Sequence, residues 1–313
     1  MNNKTPTNIH NIPKGIYDAI NTDFYTNPND KFSHYSATKL ISPIQETILV
    51  KRHEKEIPPS DIMDNFNAWR GSIIHNAIEA AAKLDMNYIE EQRFYATVLG
   101  KVVSGKVDCY DIDKKQIIDW KTCGLWKLQK NDVRAWEEQA NIYAYLMGQE
   151  GYEIKSLKIT AILMDWKKTE SKYKPNYPVC QIVPIDLKLW STYEQERFIK
   201  QQLIYLKAGQ DLTADELYKE LPCSKYDQWS TYQDTAIMKK GSTRATRKFF
   251  SRKETKAFVE ENVQYLSSEY EIVDRYGLPT KCIDYCSAAP FCSQRKAEEA
   301  ARTGNINIKK LTF

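Results

Sequence analysis

Apolar residues return at helical spacing in two early stretches, 36–56 and 64–84, the second running through Trp69, Ile73, Ile74, Ala77, Ile78 and Ala81. Pro58-Pro59-Ser60-Asp61 lies between them as a break and a cap. The period then shortens. Segments 92–99, 101–110 and 115–122 are rich in β-branched or aromatic residues and are punctuated by Gly100 and by Asp111-Ile112-Asp113-Lys114, which predicts a meander of strands. A helix over 132–148, closing near Gly148 and Gly151, leads into an apolar strand from Leu157 to Trp166. This order predicts an α/β fold with a mixed central β-sheet flanked by helices. After Pro184 the helical period returns over 187–208 and 251–269, and the stretch Leu278–Lys296 is too irregular and cysteine-rich to be an ordinary helix end. Only the first twelve residues read as a loose tail.

The chain has 313 residues, more than one domain usually holds, yet a core with helical insertions fills that length as one compact unit. The expected division is an N-terminal extension over 1–34, a core over 35–210 and a helical, cysteine-rich extension over 211–313. With 42% hydrophobic and 27% charged residues, 7 Trp, 20 Tyr and 10 Phe, the chain has ample material for a packed core, which excludes disorder. No apolar run approaches the roughly 20 residues of a membrane span, and no basic segment followed by an apolar stretch opens the chain. The expectation is a cytoplasmic protein without a membrane partner, whose seven cysteines are thiols or metal ligands rather than disulfides.

A net charge of +4 names no partner by itself. Its distribution says more, because Met238–Lys256 holds eight Lys or Arg against one Glu, with Phe249 and Phe250 in the middle. That mixture suits phosphate contacts and base stacking, or else a solvated helix face, and Arg244, Arg247 and Lys248 are its candidate DNA contacts.

Residues 104–122 carry the most chemistry. A turn centred on Asp113 and Lys114 sets Asp108 opposite Asp119 on neighbouring strands, their Cβ atoms about 5 Å apart, where like charges repel unless a cation bridges them. Alternation puts Lys121 on the face of Asp119 and turns Ile118, Trp120 and Cys109 toward a core. Two carboxylates and an ammonium suit Mg²⁺ or Mn²⁺ and hydrolysis of a phosphodiester, although a single Asp-x-Lys is commonly an ordinary ion pair on a surface hairpin.

Four motifs in order narrow the choice. Gly71-Ser72-Ile73-Ile74-His75, Gly105-Lys106-Val107-Asp108, Asp119-Trp120-Lys121-Thr122 and Gln139-Ala140-Asn141-Ile142-Tyr143 together resemble the motifs of RecB-like PD-(D/E)XK nucleases, and the Tyr-Ser-Ala-Thr-Lys-Leu-Ile run from Tyr35 resembles the opening helix of phage-borne members. The resemblance implies a restriction-endonuclease-like core. It implies His75, Asp108, Asp119 and the main-chain carbonyl of Trp120 as ligands of Mg²⁺ or Mn²⁺, Lys121 as the catalytic lysine, and Gln139 and Tyr143 as residues that steady the site or the DNA strand. It further implies an exonuclease of recombination, repair or phage DNA processing, with DNA and other recombination or replication proteins as partners. Glu79, four residues beyond His75, is placed to orient the imidazole, and Glu137 and Glu138 read as solvated.

Cys282, Cys286 and Cys292 follow one another at wide gaps, and Cys223 offers a fourth thiolate from a Pro-Cys loop. Four sulfurs satisfy a 4Fe-4S cluster or a tetrahedral Zn²⁺. The wide spacing suits the larger cluster, which RecB-like relatives also carry, although there the first cysteine precedes the core. Cys109, Cys123 and Cys180 lack partners at ligand spacing. Against the nuclease stand two other readings: a DNA-binding or inhibitory module on the same fold, and a zinc-stapled protein-interaction domain.

Overall fold

The computed structural model describes residues 4–22, 32–82, 87–242 and 244–310, the last eight of these by backbone alone. They form two compact units, one from residues up to Ser42 together with Pro58–Ala208, the other from Pro43–Ile57 together with Gly209 onward.

The first unit is built on a mixed sheet. Its elements are α1 (Phe66–Ala82), β1 (Tyr88–Val98), β2 (Lys101–Asp111), β3 (Gln116–Cys123), α2 (Arg134–Gln149), β4 (Ser156–Leu163), β5 (Ile182–Leu187) and α3 (Thr192–Gly209). Leu99 and Gly100, both with positive φ (50° and 71°), make the two-residue turn that pairs β1 with β2 from Val98↔Lys101 to Tyr88↔Asp111. Next, β2 pairs antiparallel with β3, which runs parallel to β4, and β4 pairs antiparallel with β5; a short strand, Tyr35–Ser36, runs parallel to β2 on the other side. The α2 helix makes the crossover between the parallel strands β3 and β4. Strand β4 alternates strictly, burying Leu157, Ile159, Ala161 and Leu163, and α2 covers the sheet with Ala140, Ile142, Tyr143, Leu146 and Met147. This is the mixed sheet flanked by helices that the sequence implies.

Several elements differ from expectation, each for a physical reason. The helix expected over 36–56 is two helices, Ala37–Leu40 and Ile44–Arg52, parted at Pro43, which has no N–H to continue the first. Pro184 lies inside β5 rather than closing a loop, which is tolerated because β5 is an edge strand; the helix after it starts only at Thr192. Of the tail expected over the first twelve residues, 1–3 lie outside the described residues, while the Thr7 and Ile9 N–H groups donate to Ser60 and to the Asp61 carboxylate; beyond it Lys14–Asn21 is helical. Asp61 does cap the chain entering α1, in a reciprocal capping box with Asp64. Of the 64–84 helix, 83 and 84 lie outside the described residues. The apolar stripe of α1 is not a buried face, Ile73 being 42% exposed. What turns toward the sheet is Gly71, where an added Cβ would stand 3.3 Å from the Thr122 hydroxyl. Glu137 is not solvated either. Its carboxylate accepts from the Trp190 indole at 2.8 Å while Asn141 accepts from the Trp190 N–H, tying the chain after β5 to α2.

In the second unit the extension carries helices and also a three-stranded antiparallel sheet. Strand β6 (Tyr232–Lys239) lies between β7 (Ala245–Phe249) and β8 (Tyr270–Tyr276), and α4 (Arg252–Glu261) covers part of the stretch expected as one helix over 251–269. Asp234 holds Arg275 through two hydrogen bonds of 2.6 Å across the β6–β8 pair. A final helix, α5, spans Ser293–Lys310.

Gly105, in β2, has no room for a side chain: a Cβ there would stand 2.7 Å from the Tyr143 ring and 2.9 Å from Leu146. Gly105→Ala is therefore expected to cost about 1–3 kcal/mol of stability. Chemical denaturation measures this, and an unchanged midpoint would show that α2 shifts freely.

Candidate active site

Strands β2 and β3 pair only from Asp111↔Gln116 to Cys109↔Ile118. The next residues along, Asp108 and Asp119, stand where the ladder ends and the strands part, as the turn arithmetic predicts. Asp108 stays tied to β3, one carboxylate oxygen accepting the Trp120 N–H at 3.0 Å. Asp119 is held flat in the sheet beside Ile159, its side chain only 3% exposed. Cys109 alternates into the core as expected. Ile118 and Trp120 do not: both are half-buried, and the more deeply buried face of β3 is the one that carries Ile117 and Asp119.

The helix α1 brings His75 to the same place, one turn beyond the close approach at Gly71. Its Nδ1 is buried, has no hydrogen-bond partner and lies 3.5 Å from the Asp108 carboxylate. Burial first, then the charge of Lys121, pushes the imidazole pKa down, so the ring is neutral and keeps a lone pair for a ligand. A main-chain hydrogen bond with Trp120 acts the other way and sets that residue's backbone against the ring, where the ligand carbonyl is expected.

Lys121 Nζ lies 2.7 Å from Asp119 Oδ2. Burial alone would push its pKa down, but the carboxylates of Asp119 and Asp108 outweigh this and keep the ammonium charged. The other Asp119 oxygen, Oδ1, is buried without a hydrogen-bond partner. On α2 the Gln139 amide donates to the Tyr143 hydroxyl at 2.7 Å. Burial, then Asp119 and Asp108, hold that phenol well above its usual pKa, so it stays neutral and can donate a hydrogen bond. Glu79 sits half-buried one turn beyond His75.

All six candidate side chains of the core thus meet at one end of the β2–β3 pair. The structure adds one acid that the sequence reading left out. Glu91 of β1 stands across from Asp108, between the pairs Glu90↔Cys109 and Gln92↔Val107, and ligand atoms of His75, Glu91 and Asp108 all lie within 4.8 Å of one another. The same turn arithmetic that set Asp108 against Asp119, applied around Leu99-Gly100, would have named it; beginning the strand at residue 92 hid it. Donors of this kind, crowded and short of positive charge, fit a hard divalent cation.

In the second unit Cys223, Cys282, Cys286 and Cys292 line one small cavity with Gln45, Glu46 and Leu49. Cys292 and Cys223 reach the Gln45 carbonyl oxygen at 3.2 and 3.7 Å, while the Gln294 amide clasps both main-chain groups of Cys223 at 2.9 Å. The Arg295 N–H donates to the Cys292 sulfur at 3.4 Å. Burial pushes all four thiols up, Cys286 to about 11. Among the described residues no three of these sulfurs lie within 4.8 Å of one another. Four thiols lining one cavity suit a 4Fe-4S cluster or a tetrahedral Zn²⁺. Of the remaining cysteines, Cys123 is half-buried and Cys180 exposed.

The basic segment is a hairpin, not a helix face, because strands with one exposed side carry charge as readily as helices do. Arg244, Arg247 and Lys248 are all exposed on it. The Arg247 guanidinium already rests on the Phe258 ring, 4.3 Å from its centroid, and Phe250, 80% exposed, is the free aromatic face. Thr243, in the same segment, lies outside the described residues.

No protein-family model and no curated protein matches the chain. Among solved structures it is similar to SSO0001 (16% identity, TM-score 0.42, 60% of this chain and 82% of that one). It is also similar to a phage-related exonuclease from Haemophilus somnus 129PT (14%, 0.29, 56% and 73%) and to an alkaline exonuclease from Laribacter hongkongensis (12%, 0.35, 59% and 91%). Likenesses this distant assign no activity. No helix among the described residues is long and apolar enough to cross a membrane.

The Asp108 carboxyl is pushed well up, first by burial and then by the Asp119 charge. A folded-state pKa above the unfolded value adds stability at low pH that is lost as pH rises through the folded pKa, so this carboxyl leaves the fold less stable at neutral pH than at low pH. Asp108→Asn, which still accepts the Trp120 N–H, is expected to raise Tm in EDTA by about 2–4 °C and to abolish any rise in Tm on adding Mn²⁺. Thermal melts at neutral pH decide it, and a lowered Tm in EDTA would refute the account.

Proposed function

We propose that the chain is a divalent-metal-dependent deoxyribonuclease that degrades DNA from its ends, in the setting of recombination, repair or phage DNA processing. The observation that carries this reading is the opposition of Asp108 and Asp119 where two strands part, with a charged lysine on one and a neutral imidazole on the other. His75, Asp108, Asp119 and the Trp120 carbonyl would hold Mg²⁺ or Mn²⁺. When bound, the ion supplies Lewis-acid polarisation of the scissile phosphate and lowers the pKa of a water. Lys121 is protonated, so it acts as a cation and donor, orienting the attacking water and offsetting charge on the phosphate, and not as a base. Tyr143, its oxygen accepting from Gln139, offers its proton to a strand entering the site. Arg244, Arg247, Lys248 and the open ring of Phe250 give the second unit a surface for phosphates and bases.

Degradation of linear DNA labelled separately at the 5′ and 3′ ends, with Mg²⁺, Mn²⁺ or EDTA, tests the reading. Divalent-dependent loss of label that Asp119→Ala reduces by at least about 100-fold is expected. Binding without cutting by an intact, metal-loaded protein would favour a DNA-binding module instead.

The four cysteines are proposed to hold a 4Fe-4S cluster with a structural role, since redox work needs no place in phosphodiester hydrolysis. Burial raises the Cys292 thiol, and the N–H groups at the start of α5 offset part of that rise. Anaerobically purified protein should be brown, with about four iron and four sulfide per chain, and Cys292→Ser should lose the iron and lower Tm. Zinc at one per chain with no iron would overturn the assignment.

A further inference from the structure

Glu91 is held in a way that its own strand does not require. Its φ of 50° is a left-handed backbone angle that L-residues avoid, and the β1–β2 ladder keeps its register on both sides of it. No residue has been inserted; one residue has been turned. Kinks of this kind in a strand re-aim a side chain, and strained backbone gathers at working sites. The re-aimed carboxylate is 9% exposed and lies with His75 and Asp108 inside a 4.8 Å group, while the unpartnered Oδ1 of Asp119 is buried on the adjoining strand, its charge acting on both His75 and Asp108. Lys106 of β2, which pairs with Arg93, puts its ammonium diagonally on the Glu91 carboxylate. Lys106 and Asp108 are two apart and share a face of β2.

We infer that Glu91 is a third carboxylate ligand for the divalent ion, and that Lys106 competes with that ion for it. The inference rests on the nuclease reading of the same site and adds to it a residue outside the four motifs. Two acids from different neighbours, Asp119 on β3 and Glu91 on β1, then flank Asp108, so that the ion sees the middle strand from both sides. The Lys106 ammonium occupies the Glu91 carboxylate until a doubly charged cation takes it over, which lowers the electrostatic cost of keeping three acids together and makes ion binding a replacement of one cation by another.

Calorimetric titration of metal-free full-length protein with Mn²⁺, in the absence of DNA, reads this directly. Glu91→Gln is expected to weaken Mn²⁺ binding by at least about tenfold, and Lys106→Gln, which removes the competitor, to tighten it, with both variants keeping the wild-type circular dichroism. Equal weakening by both variants would mean that the pair merely holds β1 to β2, and it overturns the inference. So does a Glu91→Gln variant that binds Mn²⁺ as the wild type does, even where the wild type binds the ion and cuts DNA, an outcome that leaves the nuclease reading standing. Wild-type protein that neither binds Mn²⁺ nor cuts DNA overturns both together.

Discussion

Two carboxylates set against each other at the end of a strand pair govern the first unit. Asp108 and Asp119 gain nothing from each other, and burial raises the cost of holding both charged. Much of the surrounding structure serves to keep them there regardless. The Trp120 N–H fixes one, Lys121 compensates the other, and the absent side chains of Gly105 and Gly71 let α2 and α1 close in with Tyr143 and His75. Stability is given up locally and regained in the fully buried face of β4 and the apolar side of α2.

What could be read from the sequence follows the strength of local rules. The β2–β3 register was legible because a short turn between two alternating strands leaves few alternatives, and it located Asp108, Asp119 and Lys121 without any long-range information. The helix carrying Gln139 and Tyr143 was legible for the same reason, four residues being one turn. Position relative to the sheet was harder. Nothing in the apolar stripe of α1 says that Gly71 and His75, not Ile73, turn inward, and only the motif resemblance did so.

The elements that were missed share a cause. The strands β6 and β7 carry many charged or polar residues and depart from the alternation that marks a half-buried strand, while β5 contains a proline. Edges and two-sided solvent exposure remove that alternation, so a basic hairpin reads as a helix. Glu137 shows the converse: its partner, the Trp190 indole, is 53 residues away, a distance that no local pattern spans. The cysteine spacing pointed to one site, but Gln45, whose carbonyl oxygen meets two of the sulfurs, came from a part of the chain with no cysteine to mark it.

Gln45 also imposes an order on how the chain can fold. The helix Ile44–Arg52 that carries it belongs to a unit whose remaining residues begin at Gly209. On a ribosome this helix emerges early, with Ile48 and Leu49 ready for burial, and then waits while the whole sheet of the first unit is made. Its partners arrive last, and the thiol that lies closest to Gln45 is Cys292, near the end of the described chain. Completion of the cysteine site is therefore a late event in synthesis, and a nascent chain halted before Cys292 already holds Asp108, Asp119 and Lys121 while the N-terminal piece of its second unit still has nothing to fold against.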